Sequence, residues 1–124
     1  MSKKNKKVLI AEDNESLLKL YSDVLEKEGI LVIKTKNGKE CVEKATEETP
    51  CLIFLDIIMP KMDGYEALKL LRGNEKTKGT KIIVLTNLAN EEDRETAMSL
   101  GADEYFIKTD LSMANLVLAA KKCV

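Results

Sequence analysis

The chain has 124 residues, 44% of them hydrophobic, and its 20 basic and 21 acidic side chains leave a net charge of −1. These values suit one globular domain over residues 1–124, and they exclude a global electrostatic field that would recruit nucleic acid. Because no apolar run approaches the ~20 residues of a membrane span and the N-terminus lacks a secretory signal, we expect a cytoplasmic protein without a membrane partner.

The basic residues, the cysteines and the lack of histidine limit the kinds of site that the chain can form. The lysine-rich residues 1–6 are interpreted as a solvated, disorder-leaning tail before the first strand, rather than as an anion contact. Cys41, Cys51 and Cys123 are widely spaced with no CxxC motif, so we expect reduced thiols. The absence of histidine excludes imidazole metal sites, Ser–His and Cys–His nucleophile pairs, and an imidazole proton switch.

Strand-like and helix-like segments alternate five times along the chain. Short apolar segments predict strands over Val8 to Ala11, Ile30 to Lys34, Cys51 to Leu55, Lys81 to Leu85 and Glu104 to Ile107. Since these strands are apolar and each precedes a helix, they predict a parallel sheet covered on both faces. Right-handed crossovers then produce a doubly wound α/β sandwich without a linker or a second domain.

Capping residues and spaced apolar residues predict the five helices. The expected helix starts are Asn14, the Asn37 to Glu40 and Asp63 to Glu66 boxes, Asn90 and Ser112. The apolar residues that these patterns assign to the helices are Leu17, Leu20, Tyr21, Val24 and Leu25; Cys41, Val42 and Ala45; Ala67, Leu68, Leu70 and Leu71; Ala97, Met98 and Leu100; and Met113, Leu116, Val117 and Ala120.

Acidic residues follow two of the predicted strands. Glu12 and Asp13 come after the first strand, and Asp56 comes after the third. Charge is costly in an apolar interior, and ligands of a doubly wound sheet bind outside the carboxyl ends of its strands. If these two strands are neighbours, the three carboxylates form one surface site and would repel one another without a cation between them. Their oxygen-only donors favour Mg²⁺ over Zn²⁺.

Two further polar residues, Thr86 and Lys108, follow the fourth and fifth strands. If both strands lie beyond the third, their side chains converge on Asp56. We predict that Asp13 and Asp56 hold Mg²⁺, with Glu12 acting through a water molecule. An Asp56 oxygen would attack phosphorus in line, the Lys108 ammonium would offset oxygen charge, and the Thr86 hydroxyl would bond the new phosphoryl group. Each residue alone fits a turn, cap or solvated position, and their joint placement favours the phosphoryl site.

Four motifs carry a resemblance to a known family: Leu9 to Asn14, Leu55 to Gly64, Val84 to Thr86 and Tyr105 to Lys108. The Met-Pro-x-Met-Asp-Gly stretch inside the second motif is the most specific. Over about residues 6 to 122, the chain resembles the receiver domains of two-component response regulators, the chemotaxis receiver in particular. The resemblance implies a flavodoxin-like (βα)5 fold with strand order 2-1-3-4-5, and it implies that Asp56 takes phosphate from a histidine kinase or phosphotransfer protein.

The resemblance also implies the rest of the site and a switch. The Ile58 backbone carbonyl would complete the Mg²⁺ shell. Thr86 would move toward the phosphoryl group while Tyr105 turns inward, although Tyr105 could simply pack at a strand edge. The fourth helix, fifth strand and fifth helix, roughly Asn90 to Val124, would then control a downstream protein or a fused output domain. The expected role is a signalling switch that catalyses only its own phosphorylation and slow dephosphorylation.

Three places depart from the usual receiver pattern. Thr109 stands where the family usually has proline after a cis peptide bond, which costs ~2.5–4 kcal/mol before other residues. We therefore expect a trans Lys108–Thr109 bond and a re-routed loop. Asn87 replaces a small residue and could crowd or hydrogen-bond the phosphoryl pocket. Because the side chains of Ile58 and Leu88 cannot orient an attacking water, we predict a long-lived phosphoryl state.

Three other functions remain open at this stage. A pseudo-receiver would use the same fold for constitutive protein binding, but the intact set of polar residues argues against it. A phosphatase or mutase would typically need a second aspartate where Ile58 stands. A flavin or nucleotide carrier would need a glycine-rich loop after the first strand, where the chain is acidic instead. No output domain follows the last helix, so either a stand-alone regulator or an excised receiver is expected.

Overall fold

Strands and helices alternate along residues 6–124, the part of the chain that a computed structural model describes; residues 1–5, most of the predicted tail, lie outside it. The strands are β1 (Lys7–Ala11), β2 (Leu31–Thr35), β3 (Leu52–Leu55), β4 (Lys81–Thr86) and β5 (Glu104–Ile107). The helices are α1 (Glu15–Lys27), α2 (Gly38–Glu48), α3 (Gly64–Gly73), α4 (Glu91–Ser99) and α5 (Met113–Lys121). Among these residues, no helix has both the length and the apolarity needed to cross a bilayer.

The strands form one parallel sheet of order β2-β1-β3-β4-β5, which confirms the predicted topology. The interior strands β1, β3 and β4 are buried almost throughout, whereas the edge strands β2 and β5 are partly exposed. Burial on both faces explains why the interior strands are continuous apolar runs. Two clusters of buried side chains cover the faces: one includes Leu9, Ile53 and Val84, and the other includes Val8, Phe54 and Ile83.

All five helices begin at their predicted caps. In each case the cap side chain accepts a hydrogen bond from the backbone N–H three residues further along the chain; the caps are Asn14, Asn37, Asp63, Asn90 and Ser112. Each bond satisfies one of the donors that the first helical turn leaves unpaired. The helix starts are therefore encoded locally in the chain.

The predicted apolar helix faces are wrong at three positions, because Leu20, Leu70 and Met98 have exposed fractions of 45%, 43% and 38%. In α1, the buried stripe instead contains Leu18, Tyr21, Ser22 and Leu25. Successive helical residues are separated by about 100°, so Leu20 lies far around the helix from Leu18. Adjacent leucines at positions 17 and 18 allow more than one stripe, and packing against the sheet selects between them.

The segment after β5 follows the predicted trans route. No peptide bond among residues 6–124 is cis, so the bond between Lys108 and Thr109 is trans. Residues Lys108–Asp110 form a 3-10 turn before α5. This turn begins at the lysine itself and leaves the lysine side chain at the carboxyl end of the sheet.

Candidate functional site

The strand register brings the predicted polar residues to one edge of the sheet, the edge at which the parallel strands have their carboxyl ends. Ala11 pairs with Leu55 at the ends of β1 and β3, and the Asp56 N–H donates to the Ala11 carbonyl at 3.1 Å. At the ends of β4 and β5, Thr86 pairs with Ile107. Residues that immediately follow these strands therefore emerge together, as expected for the ligand-binding edge of a doubly wound sheet.

Three carboxylates form a compact cluster at this edge. One oxygen each from Glu12, Asp13 and Asp56 lies within 4.8 Å of the other two. Glu12 and Asp56 are buried, while Asp13 is exposed, so the cluster opens to solvent on one side. An all-oxygen donor set with an open side fits Mg²⁺, which binds through one or two carboxylates and keeps several waters. The cluster therefore contains the three carboxylates that were predicted to meet, and their role as metal ligands stays a prediction.

Lys108 lies between two of the carboxylates. Its Nζ is 2.6 Å from Glu12 Oε1 and 2.8 Å from Asp56 Oδ2, and its side chain is only 8% exposed. Burial lowers the pKa of the Lys108 ammonium, but hydrogen bonds to Asp56 and Glu12 more than compensate, so the pKa is raised overall. Lys108 thus stays charged and partly neutralises the acidic cluster. The convergence of Lys108 on Asp56 agrees with the sequence; its second contact, with Glu12, was not anticipated.

The other carboxylate oxygens are held by backbone amides. Asp56 Oδ1 accepts from the N–H groups of Ile57 at 2.7 Å and Ile58 at 3.3 Å. Glu12 Oε2 accepts from the Asn14 N–H at 3.0 Å. Burial raises the pKa of the Glu12 carboxyl, against the lowering effects of Lys108 and the Asn14 amide. Both acids are therefore held in fixed orientations by the loops that follow β1 and β3.

A second chain of contacts links Thr86 to Tyr105 through the loop after β4. The Leu88 N–H approaches Thr86 Oγ1 at 3.4 Å, and the Leu88 carbonyl accepts from the Tyr105 hydroxyl at 2.7 Å. Thr86 is fully buried and Tyr105 is 6% exposed, with its ring turned inward. The resemblance implies that Tyr105 turns inward when Asp56 is phosphorylated, and that movement stays a prediction. The sequence did not identify Leu88 as the residue that connects the two.

A glycine allows α3 to begin directly behind the acidic cluster. The Gly64 N–H donates to the Ile57 carbonyl at 2.8 Å. A Cβ atom at Gly64 would overlap the Asp56 carbonyl group and lie 2.7 Å from Ile57 Cα. The Asp-Gly pair of the most specific motif therefore serves two purposes, since Asp63 caps α3 and Gly64 permits close backbone contact.

The remaining predicted residues lie around this centre. Ile58 has a 61% exposed side chain at the mouth of the site, and Asn87 is also exposed. A hydrogen bond that the sequence did not predict joins α3 to α4. In it, the Tyr65 hydroxyl donates to Asp93 Oδ1 at 2.6 Å. Long-range contacts of this kind have no local signal in a sequence.

A surface groove of about 460 Å³ lies between α4, β5 and α5. Its lining includes Arg94, Tyr105, Phe106, Leu118 and Lys122. Arg94 lies over the Tyr105 ring, with its guanidinium carbon 5.9 Å from the ring centre. The aromatic residue at the end of the Thr86 contact chain is thus also part of this surface.

The sequence of the chain is similar to the sequences of known proteins. The sequence profile described as Response regulator receiver domain matches residues 8–121. The chain is 40% identical over 104 residues to the alkaline phosphatase synthesis transcriptional regulatory protein PhoP of Bacillus subtilis, with 84% of this chain and 42% of PhoP covered. It is 36% identical over 103 residues to the polar-differentiation response regulator DivK of Brucella anthropi, covering 83% of this chain and 84% of DivK.

A solved structure shows the same fold with a metal. The receiver domain of a sensor histidine kinase from Pseudomonas aeruginosa, which has a magnesium ion coordinated in its active-site cleft, superimposes with a TM-score of 0.86. Its sequence is 27% identical, and the match covers 94% of this chain and 95% of that one. Because the chain spans less than half of the PhoP relative, likeness to PhoP concerns only the shared segment.

Proposed function

The chain belongs to the response regulator receiver domain family, and from that membership we propose that it is a two-component signalling switch phosphorylated on Asp56. The observation that carries the proposal is the environment of that carboxylate. One oxygen is held by two backbone amides, the other contacts Lys108, and two further acids lie within 4.8 Å. An ionised carboxylate held in this way is a nucleophile that needs no general base.

Each residue of the site has a separate role in the proposed phosphoryl transfer. Asp56 forms the new O–P bond while the bond between phosphorus and the donor breaks. Lys108 and the Thr86 hydroxyl are the groups assigned to the oxygens of the transferred group, where a cation and a donor stabilise developing charge. Glu12, Asp13, Asp56 and the Ile58 carbonyl would hold Mg²⁺. When bound, Mg²⁺ supplies additional positive charge beside the phosphoryl oxygens.

The proposed donor is a histidine kinase or a phosphotransfer protein, acting in the cytoplasm. The proposed output surface is formed by α4, β5 and α5 and contacts a downstream protein or a fused output domain, without direct contact with nucleic acid or membrane. Leu88 supports a coupling between the phosphorylation site and this surface. It contacts both Thr86 and Tyr105, and Tyr105 lines the groove. A phosphoryl group carries about −2 charge and forms charge-assisted hydrogen bonds. These interactions are strong enough to shift a loop from one of two conformations to the other.

Labelling by acetyl phosphate tests the proposal. With Mg²⁺ present, we expect the intact mass of the protein to increase by one phosphoryl group, and we expect no increase with EDTA. Asp56→Asn should abolish the label. Asp63→Asn is the matched control, because Asp63 is an exposed cap seven positions later and asparagine caps equally well. An unlabelled wild-type protein that still folds would instead indicate a pseudo-receiver.

The lifetime of the phosphoryl group is a separate prediction. The exposed Ile58 side chain and the partly buried Leu88 side chain are both apolar, so neither can hydrogen-bond a water molecule for attack on phosphorus. We expect slow loss of the label, and faster loss in Ile58→Asn, because an amide can orient water. Leu31→Asn, at another exposed apolar position, is the control. A wild-type half-life of seconds or less, measured by mass spectrometry, contradicts this prediction.

A further inference from the structure

The helix α4 is held to the rest of the domain by little buried surface. Of its nine residues only Ala97 is buried, whereas α1 and α3 each bury four residues. The loop that leads into α4 is open as well, because Asn87, Ala89 and Asn90 are exposed. Packing of an apolar face supplies most of the stability of a helix in a folded protein. The position of α4 therefore depends on a small number of specific contacts.

Two of these contacts come from α3, and they hold opposite ends of α4. At the first turn of α4, the Tyr65 hydroxyl donates to Asp93 Oδ1 at 2.6 Å. Beyond the last turn, Arg72 Nε donates to the Gly101 carbonyl at 2.9 Å. Arg72 also donates to Asp103 Oδ2 at 2.9 Å, just before β5. Arg72 therefore anchors the far end of α4 with more than one bond, and Tyr65 attaches the end that follows the loop after β4.

Tyr65 is itself fixed to the loop that carries Asp56. It is the second residue of α3, and the N–H of the preceding Gly64 donates to the Ile57 carbonyl at 2.8 Å. Its partly buried ring packs against the core cluster on this face of the sheet. Burial raises the pKa of the Tyr65 phenol, and the hydrogen bond to Asp93 raises it further. At neutral pH the hydroxyl therefore keeps its proton and joins the Asp56 loop to α4.

The first turn of α4 also meets the chain of contacts that starts at Thr86. Arg94 lies over the Tyr105 ring, with its guanidinium carbon 5.9 Å from the ring centre. Burial raises the pKa of the Tyr105 phenol, the charge of Asp93 raises it further, and the charge of Arg94 lowers it. Leu88, which contacts both Thr86 and Tyr105, lies in the short loop before α4. A displacement of this loop would therefore reach Asp93 and its bond to α3.

We propose that the Tyr65 hydroxyl is a restraint that positions α4 in the unphosphorylated protein and opposes phosphorylation of Asp56. This inference rests on the proposed function, in which Thr86 moves toward the phosphoryl group. That movement displaces Leu88 and the start of α4, and it separates Asp93 from Tyr65, which stays with the Asp56 loop. A bond made in only one of two states shifts the equilibrium toward that state. Tyr65 is thus a positioning residue, and it acts through α4.

Beryllofluoride, which binds an aspartate carboxylate in place of a phosphoryl group, tests the restraint at equilibrium. With saturating Mg²⁺, amide signals in NMR spectra of the full chain give the beryllofluoride concentration at half-saturation. Tyr65→Phe removes only the hydroxyl, and we expect half-saturation at a roughly tenfold lower concentration. This factor corresponds to the net contribution of a hydrogen bond to a charged group. Loss of a bond that is present in both states would leave the concentration unchanged.

A double-mutant cycle identifies the bond as the cause. Asp93→Ala removes the acceptor and should also lower the half-saturating concentration, and adding Tyr65→Phe should then produce little further change. Glu92→Ala is the matched control, because it removes an exposed acid from the same helical turn and should leave the concentration unchanged. Equal effects of Glu92→Ala and Asp93→Ala, or fully additive effects in the double variant, would overturn the proposal.

Hydrogen exchange without beryllofluoride provides a second measurement. In Tyr65→Phe, we expect the amides in the first two turns of α4 to exchange about tenfold faster than in the wild type, with a smaller change in α1. Equal acceleration in both helices, or unchanged beryllofluoride binding by Tyr65→Phe, would contradict the restraint and leave the proposed function intact. A folded wild type that binds no beryllofluoride with Mg²⁺ would contradict the proposed function itself, and the restraint with it.

Discussion

Gly64 has no room for a side chain because the Asp56 carbonyl and Ile57 Cα lie where a Cβ atom would stand. We expect Gly64→Ala to lower the free energy of unfolding by about 1–3 kcal/mol, the usual cost of overpacking, and to slow labelling of Asp56. Gly73→Ala, at the other end of α3, meets no atom within 4 Å and should leave stability unchanged or raise it by up to about 1 kcal/mol. Urea unfolding of both variants provides the comparison.

Lys108 is the cation that balances Glu12 and Asp56, so its removal leaves two buried carboxylates facing each other. We expect Lys108→Met, measured in EDTA, to lose about 3 kcal/mol of unfolding free energy, as broken buried ion pairs do. Added Mg²⁺ should recover part of that loss. Lys121→Met breaks the exposed 2.7 Å pair with Glu28 and should cost less than about 1 kcal/mol. Equal losses in the two variants would mean that Lys108 has no special role.

For single residues, the sequence was sufficient to identify the members of the candidate site, but not all of the contacts that they make. The position of Lys108 after a strand predicted that it approaches Asp56, because parallel strands end at a common edge. Its contact with Glu12, 96 positions earlier in the chain, depends on side-chain reach and on the order of the strands, which no local pattern contains. Similarly, Leu88 is an ordinary apolar residue in the sequence, and its role comes from backbone groups that pair with Thr86 and Tyr105.

Among the elements, α1 contains a polar group that the fold leaves without a partner. Ser22 is fully buried, and its Oγ is the one buried side-chain polar atom, within the described part of the chain, that makes no hydrogen bond. An unpaired buried hydroxyl is destabilising, so we expect Ser22→Ala to raise the free energy of unfolding by about 1 kcal/mol. Ser16→Ala, on the exposed start of the same helix, should change it by less than about 0.5 kcal/mol. Destabilisation by Ser22→Ala in urea unfolding would contradict this view of α1.

The helices also show where prediction from sequence succeeds and where it stops. Caps such as Asn14 and Ser112 were predictable because each acts within three residues of itself. The exposed Leu20 and Met98 were assigned to buried helix faces from apolar character and spacing along the chain alone. Whether an apolar residue is buried depends on what the helix packs against, and that information is spread over β-strands far away in the chain. Strand order was accessible through the family motifs, not through the periodicity of any strand.

For the whole molecule, the tyrosines are one group of residues that lowers stability at high pH. The chain has three, Tyr21, Tyr65 and Tyr105, and burial is the largest cause raising the pKa of each phenol. The folded protein therefore keeps these protons at pH values where the unfolded chain has released them. Because the folded state then binds more protons, the free energy of unfolding must fall as pH rises above about 10.

Tyrosinate absorbance measures this difference directly, and the chain has no tryptophan to obscure the signal. We expect the folded protein to ionise at higher pH than the same chain in urea. Tyr65→Phe should make the decline in stability less steep, because its phenol donates to Asp93 in the folded state. Identical titration curves for the folded and unfolded protein would show that folding does not raise the pKa of the three phenols.

The acidic cluster and its lysine come from strands at opposite ends of the chain, with Glu12 after the first and Lys108 after the last. During synthesis, the carboxylates leave the ribosome long before the ammonium that balances them. A chain that is unfinished or shortened by proteolysis before β5 therefore carries Asp56 without its counter-charge and without a completed sheet edge. The site that we propose for phosphorylation is therefore complete only when the last of the five described strands has been made.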